Sequence, residues 1–325
     1  MCERVWIGRS NICGYHRAGM FVTYRGSVLG LLSWQWRAVL LYMIAATVVV
    51  VAEHFFDISA FLLPTAPVVV VGGAIGIFVS FRTNSAYDRW WEARKLWGQL
   101  VNSSRHFASQ VLVYLPREAE GASASAIQRE LIRRQVAYVH ALRVVLRQQD
   151  LRTDAEFNAM LPDELAAIVA ESSPTHALLH RQFERLAAEH AAGRLGDLPM
   201  QSLDDTLRAL IDLQGGCERI KKTPFPRGYE FIASRLTEAF GMLLPLGLVG
   251  GMDNDWVAIP LTTLVCLAFT LISETGRVLE DPFTMFWPAL PLSALSTTIE
   301  TNLRQRLGET DLPAAPVPNE RGILM

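Results

Sequence analysis

The sequence predicts an all-α membrane protein with four transmembrane helices and a helical cytosolic domain. Three observations point there. Four long apolar runs are each closed by charge, the short loops inside each pair of runs contain no Lys or Arg, and the middle of the chain repeats its apolar residues at helical spacing. Half of the 325 residues are hydrophobic and 19% are charged, so part of the chain must lie in water rather than lipid. The net charge of −2 argues against a nucleic-acid binder, which needs clustered Lys and Arg to neutralise phosphates.

Residues 1–26 form the first segment, with Arg4, Arg9, Arg17 and Arg25 set against Glu3. It has no apolar core ahead of a cleavage site, so it is expected to be a cytoplasmic flank and not a signal peptide. Residues 27–81 hold the first two spans. Ser27 to Ala52 is interrupted by Arg37, which with Trp34 and Trp36 suits an interfacial belt. The acidic EHFFD of Glu53 to Asp57 is expected outside. Ile58 to Phe81 then carries no ionisable side chain until Arg82, and a bilayer core needs roughly 20 such residues. Pro64 and Pro67 lie near its start, and Gly72, Gly73 and Gly76 near its middle. If the run is helical, Gly73, Ile77 and Phe81 share one face, and several copies could line an apolar constriction. A lipid anchor with packing glycines would explain the same residues.

Residues 82–228 are expected to make the cytosolic domain. An amphipathic pattern continues from Arg82 through Trp90, Trp97, Val101, Ala108 and Val111 to Leu115, so the second span should run into it until Pro116. Glu118 to Ala126 is a loop. Further helices are expected over 127–147, 155–171, 176–192 and 203–213, separated by Pro162, Pro174, the Gly193 to Pro199 linker and Gly215/Gly216. Residues 229–273 hold the other two spans, Phe231 to Met252 and Trp256 to Ser273, joined by the acidic loop Asp253 to Asp255. Arg235 and Glu238 would have to face protein or water. Residues 274–325 return to the cytosol, with Pro282 to Ile299 expected to be irregular chain on the cytosolic domain. Both termini are therefore expected in the cytoplasm.

Motifs for chemistry are missing: there is no Walker A, no dinucleotide GxGxxG and no HExxH, so no enzyme and no cofactor is expected. Cys2, Cys13, Cys217 and Cys266 lack metal-site spacing and are expected as free thiols. His176 and His180 could share a metal on one helix face, yet a metal site needs a third or fourth ligand, and a solvated face explains the pair. No metal site is expected. The pairs Gly26/Gly30, Gly72/Gly76 and Gly247/Gly251 mark close helix packing or else flexible hinges. No acid interrupts the second or fourth run, which disfavours a proton-coupled transporter. Arg82, Asp88 and Glu92 suit interhelix pairing better than ion ligation.

Four stretches together resemble the bacterial bestrophins: FVTYRGSVL at Phe21 to Leu29, IFVSFRTNSAYDRWWEARKLWG at Ile77 to Gly98, GCERIKKTPFP at Gly216 to Pro226, and ISETGRVLEDPF at Ile272 to Phe283. The resemblance implies a homopentameric ion channel in a bacterial inner membrane, passing small monovalent ions. The family contains anion channels and members that pass cations. It also implies a neck on Gly73, Ile77 and Phe81, where Gly73 replaces a bulkier residue, and a cytosolic aperture at Ile220. The acidic run that binds calcium in animal members is matched here by TMFWPALPL, Thr284 to Leu292, so that clasp is expected to be missing. Partners are then other copies of the chain and the lipid bilayer. The rival expectation is a membrane-anchored helical scaffold for a protein partner.

Overall fold

The computed structural model describes residues 20–21, 28–116, 124–160, 164–249, 251–285, 288–318 and 323–324. Several expectations fall outside them: the basic flank, Cys2 and Cys13, Gly26, most of the Phe21 to Leu29 motif, most of the Glu118 to Ala126 loop, Pro162, Phe286 and Trp287. The chain divides into two compact units, Tyr24–Trp91 with Thr223–Glu280, and Met1–Thr23, Glu92–Lys222 with Asp281–Met325.

The first unit holds α1 (Val28–Trp34), α2 (Trp36–Phe56), the start of α3 (Thr65–Tyr114), α9 (Arg227–Leu248) and α10 (Ala258–Leu279). Among the described residues, four stretches are long and apolar enough to cross a membrane: Trp36–Phe56, Thr65–Tyr114, Gly228–Leu248 and Asp255–Leu279. The first apolar run is broken at Gln35, and the Arg37 guanidinium lies over the Trp36 ring. The second helix starts later than Ile58, because Ser59–Phe61 is a 3-10 turn and Leu62 is extended. Proline explains the delay. Pro64 disfavours helical backbone at the residue before it, while Pro67 falls in the first turn of α3, where its missing N–H costs nothing.

Small residues close this unit. A Cβ added to Gly241 would overlap the Tyr42 ring, one on Gly247 would overlap Val68, and one on Gly72 would overlap Phe240. Backbones can approach that closely only where no side chain intervenes. The core so formed joins Tyr42, Val68, Ile75, Val79, Ala233, Phe240, Leu244 and Cys266. The Tyr42 hydroxyl lies 3.2 Å from Thr270 Oγ1. Arg235 and Glu238, in the apolar third helix, pair with each other at 2.7 Å on its exposed side.

The second unit is built around α4 (Ala126–Leu146), whose residues from Val136 to Val144 are all buried. Around it pack α5 (Ala155–Met160), α7 (Pro174–Ala191), α8 (Asp197–Lys222) and α11 (Leu292–Arg306), with α6 (Leu165–Val169) against α7. The Ser125 hydroxyl and Gln128 amide make a capping box that starts α4. Gln128 also donates to the carbonyls of Val111, Leu112 and Leu115 at the end of α3, where Pro116 has no N–H to offer Leu112. A two-residue strand, β1 (Met20–Phe21), pairs antiparallel with β2 (Ile323–Leu324).

Two expectations are corrected here. Gly215 and Gly216 do not end a helix: α8 starts at Asp197, earlier than expected, and runs through both to Lys222. Gly216 is held against the Leu96 side chain, with 3.0 Å from its Cβ position to the Leu96 methyls, and packing offsets the glycine penalty of about 1 kcal/mol. Nor is Pro282 to Ile299 irregular throughout. No proline lies between Pro291 and Pro313 to interrupt helical bonding, and α11 begins at once after Pro291, burying Ile299 and Leu303.

Candidate functional site

The first unit fixes α3 from behind and leaves its opposite side open. Behind it, Gly72 and Gly76 lie against Phe240 and Phe269, Thr83 Oγ1 donates to the Ile272 carbonyl, and Gly276 fits against Thr83. Arg82, 1% exposed, donates to the Ser273 carbonyl and hydroxyl at 3.1 and 3.0 Å and to Glu280 at 2.6 Å. Arg89 donates to the carbonyls of Glu280 and Thr223. A buried ion pair adds little net stability, yet it is costly to break and so fixes orientation. The rotation of α3 about its axis is set by these bonds.

On the open side lie the three expected neck residues. Ile77 is 61% exposed and Phe81 68% exposed, while a Cβ on Gly73 would meet nothing within 4 Å. Large apolar side chains aligned on one face of a spanning helix are covered by lipid, by another subunit or by one another across a constriction. The structure therefore brings Gly73, Ile77 and Phe81 onto one unpartnered stripe.

Ile220 is placed differently. Its side chain is 4% exposed, on the packed side of α8 next to buried Cys217. Burial, with the nearby Glu218 and Glu92 carboxylates, pushes the Cys217 thiol up to about 12. Salt bridges flank Ile220, Arg219 to Glu92 at 2.7 Å and Lys221 to Asp281 at 2.6 Å.

In Thr284 to Leu292, Thr284 Oγ1 donates to the Asp281 carbonyl. The two carboxylates just before it are occupied, Glu280 by Arg82 and Asp281 by Lys221. His176 and His180 stack with ring centroids 6.4 Å apart and line a cavity of about 350 Å³ with Phe183 and Asp204. His180 pairs with Glu184.

Sequence reasoning missed a buried polar network on α4. His140 Nε2 lies 2.9 Å from Glu300, which also accepts from Arg304. Burial opposes the Glu300 carboxylate, but the hydrogen bonds from His140 and Arg304 outweigh it and hold its pKa below the usual value. His140, Asp154 and Glu156 bring ligand atoms within 4.8 Å of one another, but the Arg143 guanidinium bonds both carboxylates and already supplies the cation. The only signal in the sequence was a histidine inside an otherwise apolar helical run, which is also what a satisfied core histidine looks like.

Four apolar helices closed by glycines, with a polar helical unit in the same chain, define a polytopic α-helical membrane protein. The model of the bacterial and fungal bestrophin proteins matches residues 10–305. The chain belongs to that family. It is 32% identical over 306 residues to the voltage-dependent anion channel-forming protein YneE of Salmonella typhi, covering 94% of this chain and 96% of that one. It is 35% identical over 298 residues to a voltage-dependent anion channel-forming protein of Ralstonia nicotianae, covering 91% and 94%. The crystal structure of a bestrophin homologue from Klebsiella pneumoniae superposes with a TM-score of 0.77 at 30% identity, covering 84% of this chain and 98% of that one.

Proposed function

We propose that the chain is one subunit of a homopentameric anion channel in a bacterial inner membrane, with both termini in the cytoplasm. The relatives named as anion channel-forming proteins support the ion, and the resemblance to the bestrophins implies the pore shared between five subunits. The observation that carries the reading is the stripe of Gly73, Ile77 and Phe81, exposed on a helix whose other side is held by Arg82 and the packing glycines.

In the assembled channel the stripes face one another and form the neck. An ion there sheds water and gains no replacement ligand, so a narrow apolar ring gates by dewetting. Gly73 contributes no side chain, and the barrier rests on Ile77 and Phe81. Ile220 is proposed as the second, cytosolic constriction. Because it is buried in its own subunit, its truncation must be read for packing and for conduction separately.

Reconstitution of the purified protein in a planar bilayer, with native mass spectrometry of the same sample, tests the reading. Discrete anion-carried current steps and a five-subunit mass are expected. A conducting dimer would remove the shared pore, and a pentamer without current would favour a scaffold.

A further inference from the structure

Among the charged side chains that follow the stripe, Arg82 and Glu92 have partners, as interhelix pairing requires. Arg82 bonds Ser273 and Glu280, and Glu92 accepts from Arg219. Asp88 does not. It is exposed on α3, and among the described residues it has no hydrogen-bond or ion-pair partner.

Its position on the helix gives that isolation a direction. Asp88 lies about three turns past Ile77 and about two past Phe81, within roughly 20° of each around the axis. It is the first acid on the face that carries the neck residues. An apolar neck desolvates cations and anions alike, so it cannot choose between them by sign. A fixed charge on the same face can.

We infer that Asp88 is a selectivity-determining residue, whose carboxylate, repeated in every subunit, repels anions and concentrates cations next to the neck. The inference rests on the channel reading above. A ring of like charges beside a low-dielectric wall changes the local potential by about one kT or more, and acts with opposite sign on the two ions. The carboxylate therefore restrains a pathway that would otherwise favour anions more strongly. A neighbouring subunit covering Asp88 would instead have to supply a cation, since a buried charge without one is expensive. The two arrangements predict different results.

The test is the chloride-to-potassium permeability ratio of the full-length protein in neutral-lipid planar bilayers, taken from reversal potentials in a potassium chloride gradient. Asp88→Asn is expected to raise the ratio about seven-fold, as removal of roughly one kT acting oppositely on each ion requires. The change should shrink in 1 M salt, where charges are screened within about 3 Å. Asp88→Glu should keep the parent ratio, and so should Glu171→Gln, which removes an exposed acid elsewhere. A conducting parent whose ratio is unchanged in Asp88→Asn overturns the inference and leaves the channel standing. Loss of the assembly in both Asp88 variants, with an unchanged ratio in surviving channels, makes Asp88 an interface residue and also overturns it. A parent without current overturns the channel reading and this inference together.

Discussion

In the unit of Tyr24–Trp91 and Thr223–Glu280, the interior is closed by glycine, and Arg82 is the one charged side chain buried among the described residues. The unit built on α4 buries Arg134, His140, Arg143, Glu189 and Glu300 beside several glutamines. Val70, Ile77, Phe81 and Leu264 lie outside in the first unit, whereas Ile220 lies inside in the second. On the proposed reading the chain is written for two solvents: small residues bring backbones together where lipid or another subunit would cover the surface, while in the unit on α4 buried charged groups draw on one another, as His140 and Arg304 do on Glu300. Exposure of an apolar side chain therefore has a different meaning in each unit.

The largest test of this contrast is the neck. Ile77→Ala together with Phe81→Ala should raise single-channel current several-fold and leave thermal stability near that of the parent, since both side chains lie outside their own subunit's core. Gly73→Ile should lower current by adding a ring. A large loss of melting temperature without a gain in current would show that the stripe is covered by protein and faces no pore.

Ile220→Ala sharpens the contrast from the other side. Truncating a buried isoleucine is expected to cost about 2–5 kcal/mol, seen as a lower denaturation midpoint. Altered ion preference in the folded fraction is the further expectation of the aperture proposal. A variant of unchanged stability with altered preference would show that the side chain leaves the core in the assembly.

The smallest effect is on acid stability. Glu164, Glu300 and Glu309 all titrate below the usual 4.5, because hydrogen bonds from Arg134 and Arg181, from His140 and Arg304, and from Arg304 and Arg133 outweigh burial. With folded values depressed, the folded state binds fewer protons than the unfolded one. Their contribution is complete above about 4.5 and fades as the pH falls through the lower folded values. Circular dichroism should show little change in stability from pH 7 to 5 and a decline below 4.5, with a shallower decline in Glu300→Gln. A decline already complete at pH 5 would exclude these carboxylates as its cause.

Much of this architecture is legible in the residues. Apolar length, the charge at Arg82 and the lack of Lys or Arg in Glu53 to Asp57 are local properties, and they mark the spans without any knowledge of packing. The shared face of Gly73, Ile77 and Phe81 follows from helical spacing alone. What a residue meets across space is not local. Gly215 and Gly216 look like a helix end until Leu96 is seen against one of them, and Ile220 looks accessible in a basic, proline-bounded segment until α8 is seen to bury it. Arg82, Asp88 and Glu92 are charged residues of one helical run, and nothing local separates the paired Arg82 and Glu92 from Asp88.

The buried Cys217 and Cys266 have a practical consequence. Maleimides react with thiolates that they can reach, and a Cys217 thiol shifted to about 12 and enclosed by protein offers almost none. Cys266 is fully enclosed in the apolar core. Replacing Cys2 and Cys13 alone should therefore give a background quiet enough for accessibility mapping, in which new thiols at His54 and Asn254 react from outside and one at Ala124 reacts from inside.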